Sequence, residues 1–277
     1  MGQKTNPNSL RNCSPIYIGT PLWEQSQFNY INRNIEKIIH ACCKKGDLYV
    51  NKTQIFTYHD TILITVECLQ LYSGPQKKSQ SRRFKENTQN YRKRYTKKSW
   101  KTILKRFYKA VQIIQEHTGF KKLKLRIHRI KSYSLGIPKS TRQKTSYYTK
   151  SVNKIKFSYA RSGVQLIHLM SKNRINPACL ANFIRDIFRT RSRRRNHIEA
   201  LRFLKQCFET FTLNHKIKGI KLALKGRFGH KPKARSKIWK YQQGTMPFNH
   251  FNADIRAKYK QIQTKLGAVG IKVWVHY

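Results

Sequence analysis

Acidic residues are scarce in this chain of 277 residues: 11 Asp and Glu stand against 59 Lys and Arg, a formal net charge of +48. Metal-dependent chemistry on nucleic acids needs carboxylates gathered around its cations. Here the acids are scattered, with no D-x-D or E-x-K grouping, and no H-E-x-x-H or Cys/His nucleophile set stands in for them. The chain therefore reads as no enzyme, and a nucleic-acid-processing activity is the weakest alternative. Metal-spaced cysteines are also lacking. The six, at 13, 42, 43, 68, 179 and 207, form no C-x-x-C pair, and the histidines are dispersed. Those spacings suit neither zinc nor a disulfide framework, so the cysteines are expected as reduced, packed thiols, with no metal and no cofactor. No apolar run approaches the roughly 20 residues that span a bilayer. The start, Met1-Gly-Gln-Lys-Thr-Asn-Pro7, has neither a signal-peptide apolar region nor an Arg- and Ser-rich amphipathic helix, and is expected to stay uncleaved.

What is present in excess is positive charge. A folded chain with this imbalance repels itself unless a polyanion neutralises it. Basic residues are spread along the whole length rather than along one amphipathic helix, which points to nucleic acid and away from a membrane surface.

The end of the chain has the clearest pattern. Ile220, Leu222 and Leu224 alternate with Lys221 and Lys225, and Ile271, Val273 and Val275 alternate with Lys272, Trp274 and His276. A period of two marks strands with one buried face. Because the second face is cationic, the pattern predicts a small sheet packed on one side and turned toward something negative on the other.

Upstream, residues 1–28 are turn-rich and read as an extended arm that carries Lys4. Ile31, Ile35, Ile38, Ile39 and Cys42 predict a helix over 28–44, and strands are expected over 48–58 and 61–72, joined as a hairpin by Tyr58-His-Asp60. From Lys77 to Lys109 there are fourteen Lys or Arg and one acid, Glu86. Residues 76–98 read as a basic insertion, with Arg82, Arg83, Arg92 and Arg94 as RNA-contact candidates and Phe84, Tyr91 and Tyr95 available to stack. Ile103, Leu104, Phe107, Val111 and Ile114 predict a helix over 100–117 that Gly119 closes. A strand with one basic face, over 121–130, follows it.

Residues 131–175 read as a second insertion, in which 164–170 fit a short strand or a helix. Asn176-Pro177 starts a helix to about Arg189. Next come five arginines in seven residues, Arg189-Thr-Arg-Ser-Arg-Arg-Arg195. Ile198, Leu201, Leu204, Phe208 and Phe211 mark a further helix. In the loop over 227–240, Arg227, Lys231, Lys233, Arg235 and Lys237 stand among Gly226, Gly229 and Pro232, a composition that brings backbone close to phosphates and neutralises them.

The start GQKTNP and the end KGIKLALKGRFGH…MPFNHFNADI…LGAVGIKVWVHY resemble the small-subunit ribosomal protein S-three family. The C-terminal match rests on the spacing of Gly219, Gly226, Gly229, Gly244, Pro247, Asp254, Gly267 and Gly270 over about sixty residues. The resemblance implies an α+β chain: an arm (1–28), a degenerate type II KH-like domain (29–130), the insertion 131–175, and a C-terminal α/β ribosomal domain (176–277) with a small, mostly antiparallel sheet. KH domains clamp single strands with a G-x-x-G loop. This chain departs there, having Gly74-Pro75 and then the basic insertion.

The resemblance further implies a structural role in the head of the small ribosomal subunit, near the channel by which mRNA enters. The partners would be small-subunit rRNA, mRNA and neighbouring head proteins. By position, Arg191, Arg193, Arg194, Arg195, Arg202 and Lys205 would face mRNA. A solvated arginine face is the other reading of that run. A free regulatory RNA-binding protein is the alternative function. The insertions, the richness in Lys, Asn, Ile, Phe and Tyr, and the start of the chain point to a mitochondrial member encoded in the organelle, with a plastid origin second.

Overall fold

A computed structural model describes residues 22–45, 48–58, 61–70, 100–119, 122–130, 160–190, 195–212, 217–227, 235–264 and 267–277, with positions 7 and 143. The chain divides into two units, residues 17–132 and residues 133–277 together with 1–16.

In the N-terminal unit, helix α1 (Leu22–Lys45) is followed by strands β1 (Leu48–Tyr58) and β2 (Thr61–Gln70), helix α2 (Trp100–Thr118) and strand β3 (Lys122–Ile130). The sheet order is β1-β2-β3, with β1 antiparallel and β3 parallel to β2. The pairing Tyr58↔Thr61 fits the short hairpin read from the sequence. A parallel neighbour requires a crossover, and α2 supplies it. Alternation decides which face is buried. Ile62, Ile64, Val66 and Cys68 of β2 meet Ile35, Ile39 and Cys43 of α1 and Ile103, Phe107 and Ile114 of α2, while Leu123, Leu125 and Ile127 of β3 pack partly against them. Each large side chain so buried contributes roughly 1.5–3 kcal/mol. Gly119 closes α2 with φ 68°, its N–H donating to the Gln115 carbonyl at 3.0 Å.

The C-terminal unit holds helices α3 (Ala160–Ser171), α4 (Pro177–Thr190) and α5 (Arg195–Thr212), and then strands β4 (Gly219–Gly226), β5 (Lys237–Gly244), β6 (Ile255–Thr264) and β7 (Gly267–His276). These strands form an antiparallel sheet of order β5-β4-β7-β6. The expected inner residues Ile220, Leu222, Leu224, Ile271, Val273 and Val275 are all buried. Helix α4 lies over β6 and β7, α5 over β5, and α3 packs on α4 and α5. Phe183, Phe203 and Phe208 fill the layer between, and Phe208 stacks on Tyr241 of β5 at 5.9 Å. Gly163 permits the close helix crossing, since a Cβ there would meet Phe203 at 2.9 Å and Phe183 at 3.1 Å.

Several boundaries move. Helix α1 begins at Leu22, inside the segment read as an extended arm. Residues 160–175 belong to the C-terminal core rather than to an insertion: Leu166, Met170 and Ile175 are buried, and the Tyr277 hydroxyl donates to the Ile175 carbonyl at 3.2 Å. Lys237 opens a strand, so the loop before it ends earlier than 240. Periodicity missed β5 because its burial is weak, with no fully buried residue and Ile238 54% exposed, and β6 because its buried Ile255, Ala257 and Ile262 do not keep to one face.

Candidate nucleic-acid interface

The outer face of the C-terminal sheet is built by register. Three rows cross the four strands, Gln242–Lys221–Trp274–Ala257, Lys240–Ala223–Lys272–Tyr259 and Ile238–Lys225–Gly270–Gln261. Lys225, Lys240 and Lys272 are exposed, and Lys221 is half-buried. Lys221 Nζ lies 5.2 Å from the Phe248 ring and 6.0 Å from that of Trp274, and Lys272 Nζ lies 5.5 Å from Tyr259. The rings continue edge to face: Tyr259 meets Trp274 at 5.8 Å and 70°, and Phe248 meets Trp274 at 6.4 Å and 82°. A row of three aromatic rings with two ammonium groups held over them offers stacking planes and phosphate partners together.

The small residues set the relief of this face. Ala223 lies between Lys240 and Lys272, and Gly270 lies beside Lys225. A Cβ on Gly270 would find only the Lys225 carbonyl, at 3.9 Å, so the packing does not require glycine there. Gly219 and Gly244 differ: they pair across β4 and β5, Gly244 has φ 71°, and a Cβ on Gly219 would sit 2.0 Å from the Thr245 carbonyl oxygen. The glycine pattern thus divides into positions the fold demands and one that leaves the outer face open.

At the rim, Arg227 follows β4 half-buried, and Arg235 and Lys237 stand exposed at the start of β5. Lys237 pairs with Gly226, so the three approach the Lys225 end of the sheet. Lys231 and Lys233 of the same loop lie outside the described residues, as do Lys4, Arg82, Arg83, Arg92, Arg94, Arg191, Arg193 and Arg194. Arg195 opens α5. Arg202 and Lys205 are exposed on that helix, and Lys205 lies 3.9 Å from the Glu209 carboxylate. Helix α5 covers the inner face of the sheet, so Arg202 and Lys205 point away from Lys221 and Lys272. His276, grouped with the cationic face by alternation, is instead buried, its Nδ1 3.0 Å from the Thr245 carbonyl.

The chain terminus is latched beside the sheet. Arg256 donates to Asp254 at 3.1 and 2.8 Å and to Asn173 at 3.0 Å, with its guanidinium 4.8 Å from the Tyr277 ring. Lys260, on the inner side of β6, donates to Asn182. Burial, then the neighbouring Arg185 and Lys258, lower its pKa to about 8. Cys43, Cys68, Cys179 and Cys207 are buried thiols, and burial raises the Cys68 thiol to about 11 and pushes Cys43 and Cys207 further up. Among the described residues no group of three His, Cys, Asp or Glu could hold a metal ion, and no helix is long and apolar enough to cross a membrane.

Fold and face together define an α+β protein whose C-terminal unit presents a cationic, aromatic sheet surface. Residues 193–275 match the family model described as ribosomal protein S3, C-terminal domain. Small ribosomal subunit protein uS3 of Exiguobacterium sibiricum is 43% identical over 61 residues, 22% of this chain and 27% of that protein. The same protein of Clostridium beijerinckii is 37% identical over 75 residues, 27% and 33% of the two chains, and that of Agathobacter rectalis 33% over 81 residues, 29% and 36%. Over this C-terminal stretch the domain match and the names of these relatives support a ribosomal protein S3 family member. The matched stretch spans about a third or less of the length of these curated relatives.

Proposed function

We propose that the chain is a structural, non-enzymatic constituent of the small ribosomal subunit that binds its rRNA, with the outer face of the C-terminal sheet as the principal contact. The observation that carries this reading is the register that sets Lys221, Lys225, Lys240 and Lys272 around Trp274, Tyr259 and Phe248. The C-terminal domain match and the names of the relatives supply the small-subunit context.

The finer reading places the chain in the head of the subunit beside neighbouring head proteins, with Arg191, Arg193, Arg194, Arg195, Arg202 and Lys205 toward incoming mRNA. Helix α5 favours separate roles for that run and for the sheet, because Arg202 and Lys205 project from the side opposite the sheet lysines. The N-terminal unit is read as a degenerate type II KH-like domain, supported by its order of helix, antiparallel strand pair, helix and parallel strand. Composition supports a mitochondrial, organelle-encoded member, with a plastid one second; the relatives compared are bacterial.

The test is the salt dependence of binding to small-subunit rRNA. With about 0.7 counterions released per phosphate contact on single strands, replacing Lys225, Lys240 and Lys272 by Ala lowers the slope of log affinity against log salt by about 2. An unchanged slope removes the sheet face from the interface. Binding of the intact chain to an unrelated RNA as tightly as to rRNA favours the free regulatory alternative.

A further inference from the structure

The N-terminal sheet buries one face under α1 and α2, and its other face carries a pattern of its own. Strand β3 alternates throughout its first seven residues: Leu123, Leu125 and Ile127 turn to the core, and Lys122, Lys124, Arg126 and His128 stand exposed. Register extends this face across the sheet. Lys124 lies beside Leu63 and Leu63 beside Phe56; Arg126 beside Thr65 and Thr65 beside Gln54; His128 beside Glu67 and Glu67 beside Lys52. The β-bulge between Val50 and Lys52 is what turns Lys52, Gln54 and Phe56 outward. Glu67 is the one acid among these residues, and its carboxylate accepts from Asn51 Nδ2 at 2.9 Å. Phe56 is 41% exposed.

Alternate residues of a strand are separated by twice its rise, so Lys122, Lys124 and Arg126 form a straight cationic rail about 13 Å long. A rail of that kind follows the phosphates of an extended strand, and Leu63 on the next strand with Phe56 on the one beyond provides an apolar bed for a base or ribose. Among the described residues β2 is the sole strand partner of β3, and its charged side chains disfavour adding a further strand of similar charge at that edge.

We propose that this open sheet face is a second RNA contact, taking an extended single-stranded segment along β3 with phosphates on Lys122, Lys124 and Arg126. The inference rests on the reading of the chain as RNA-binding. It goes beyond that reading by placing the contact on the sheet rather than in the strand-to-helix loop where KH domains clamp.

The experiment uses the full chain and a 12-nucleotide oligouridine carrying 4-thiouridine, with anisotropy titrations at several salt concentrations and peptide mapping of photocrosslinks. The expected result is crosslinks within 48–58 and 122–130, and a slope lowered by about 2 in the Lys122→Ala/Lys124→Ala/Arg126→Ala variant. Arg126→Lys keeps the slope. Phe56→Ala loses the crosslinks in 48–58 without changing the slope. An unchanged slope in the β3 variant, while the Lys225/Lys240/Lys272 variant lowers it, overturns this inference alone. Unchanged slopes in both overturn the RNA-binding reading itself. Crosslinks from these strands only to protein, in purified small subunits, assign the face to an acidic protein surface and overturn the proposal. All the substituted side chains are exposed, so matching thermal melts show that the fold is intact.

Discussion

Gly219 and Gly270 lie on neighbouring strands of one sheet, and replacing each by Ala has opposite consequences. At Gly219 the new Cβ lies 2.0 Å from the Thr245 carbonyl oxygen, 2.8 Å from the carbonyl carbon and 3.1 Å from Met246 Sδ. The two nearest atoms are backbone, and that backbone is fixed by the Thr245 N–H donating to the Lys218 carbonyl at 3.1 Å and by the Gly219↔Gly244 pair. Relief requires the end of the β4–β5 ladder to open by more than an ångström, so the cost is at or above the upper end of the overpacking range, about 3 kcal/mol. At Gly270 the only neighbour is the Lys225 carbonyl at 3.9 Å, and the backbone lies outside the left-handed region. There the loss of unfolded-chain entropy dominates, and Gly270→Ala stabilises by about 0.4–1 kcal/mol. Urea unfolding followed by tryptophan fluorescence, to which Trp239 and Trp274 contribute from this sheet, measures both as shifts in midpoint at constant slope. A Gly219→Ala midpoint equal to that of the parent refutes the closed ladder. A Gly270→Ala loss above about 1 kcal/mol shows that packing demands the glycine. If Gly270 keeps the face open for a strand of RNA, Gly270→Leu lowers rRNA affinity while leaving the midpoint near that of the parent.

Tyr277→Phe removes the hydroxyl that the buried Ile175 carbonyl accepts, and costs about 1–2 kcal/mol in the same unfolding assay. Lys260 titrates at about 8 in the folded chain and at its ordinary 10.5 when unfolded, so the unfolded state binds more protons between those values. Stability should therefore rise from pH 8 to 10.5 by that contribution; Lys260→Met, which keeps the stem and removes the charge, is more stable at neutral pH and flattens the rise. A Lys260→Met variant with the same pH profile as the parent removes Lys260 from this role.

The strands with one strongly apolar face were legible from alternation, because Ile220, Leu222 and Leu224 meet Ile271, Val273 and Val275 across one ladder. Helices α2 and α5 were legible from their apolar stripes, and Gly119 from the turn it closes. Strands β5 and β6 were not, since Lys237–Gly244 spends its side chains on half-buried aromatics and exposed lysines. Half of the candidate interface was hidden with them. Lys221, Lys225, Lys272 and Trp274 stood out as a cationic face, but Lys240 and Tyr259 join it only through pairing across strands, and Phe248 only through contacts from the loop after β5. Strand β6 offers no such alternation, because its buried positions, Ile255, Ala257 and Ile262, fall on both sides of the strand. Helix α1 began early because polar residues Glu24 to Gln27 carry no apolar period, although they continue the helical backbone. The arginine run and the first insertion fall mainly outside the described residues.

The central claim is that this chain is built into the small ribosomal subunit through its rRNA. Sedimentation of a lysate that contains the chain in a high-magnesium sucrose gradient, with the chain and the small-subunit rRNA followed in each fraction, tests it most directly. The account predicts that the chain comigrates with that rRNA and is released as salt rises, because the contacts are phosphate-dominated. A chain that stays at the top of the gradient while the small subunits sediment intact would contradict it.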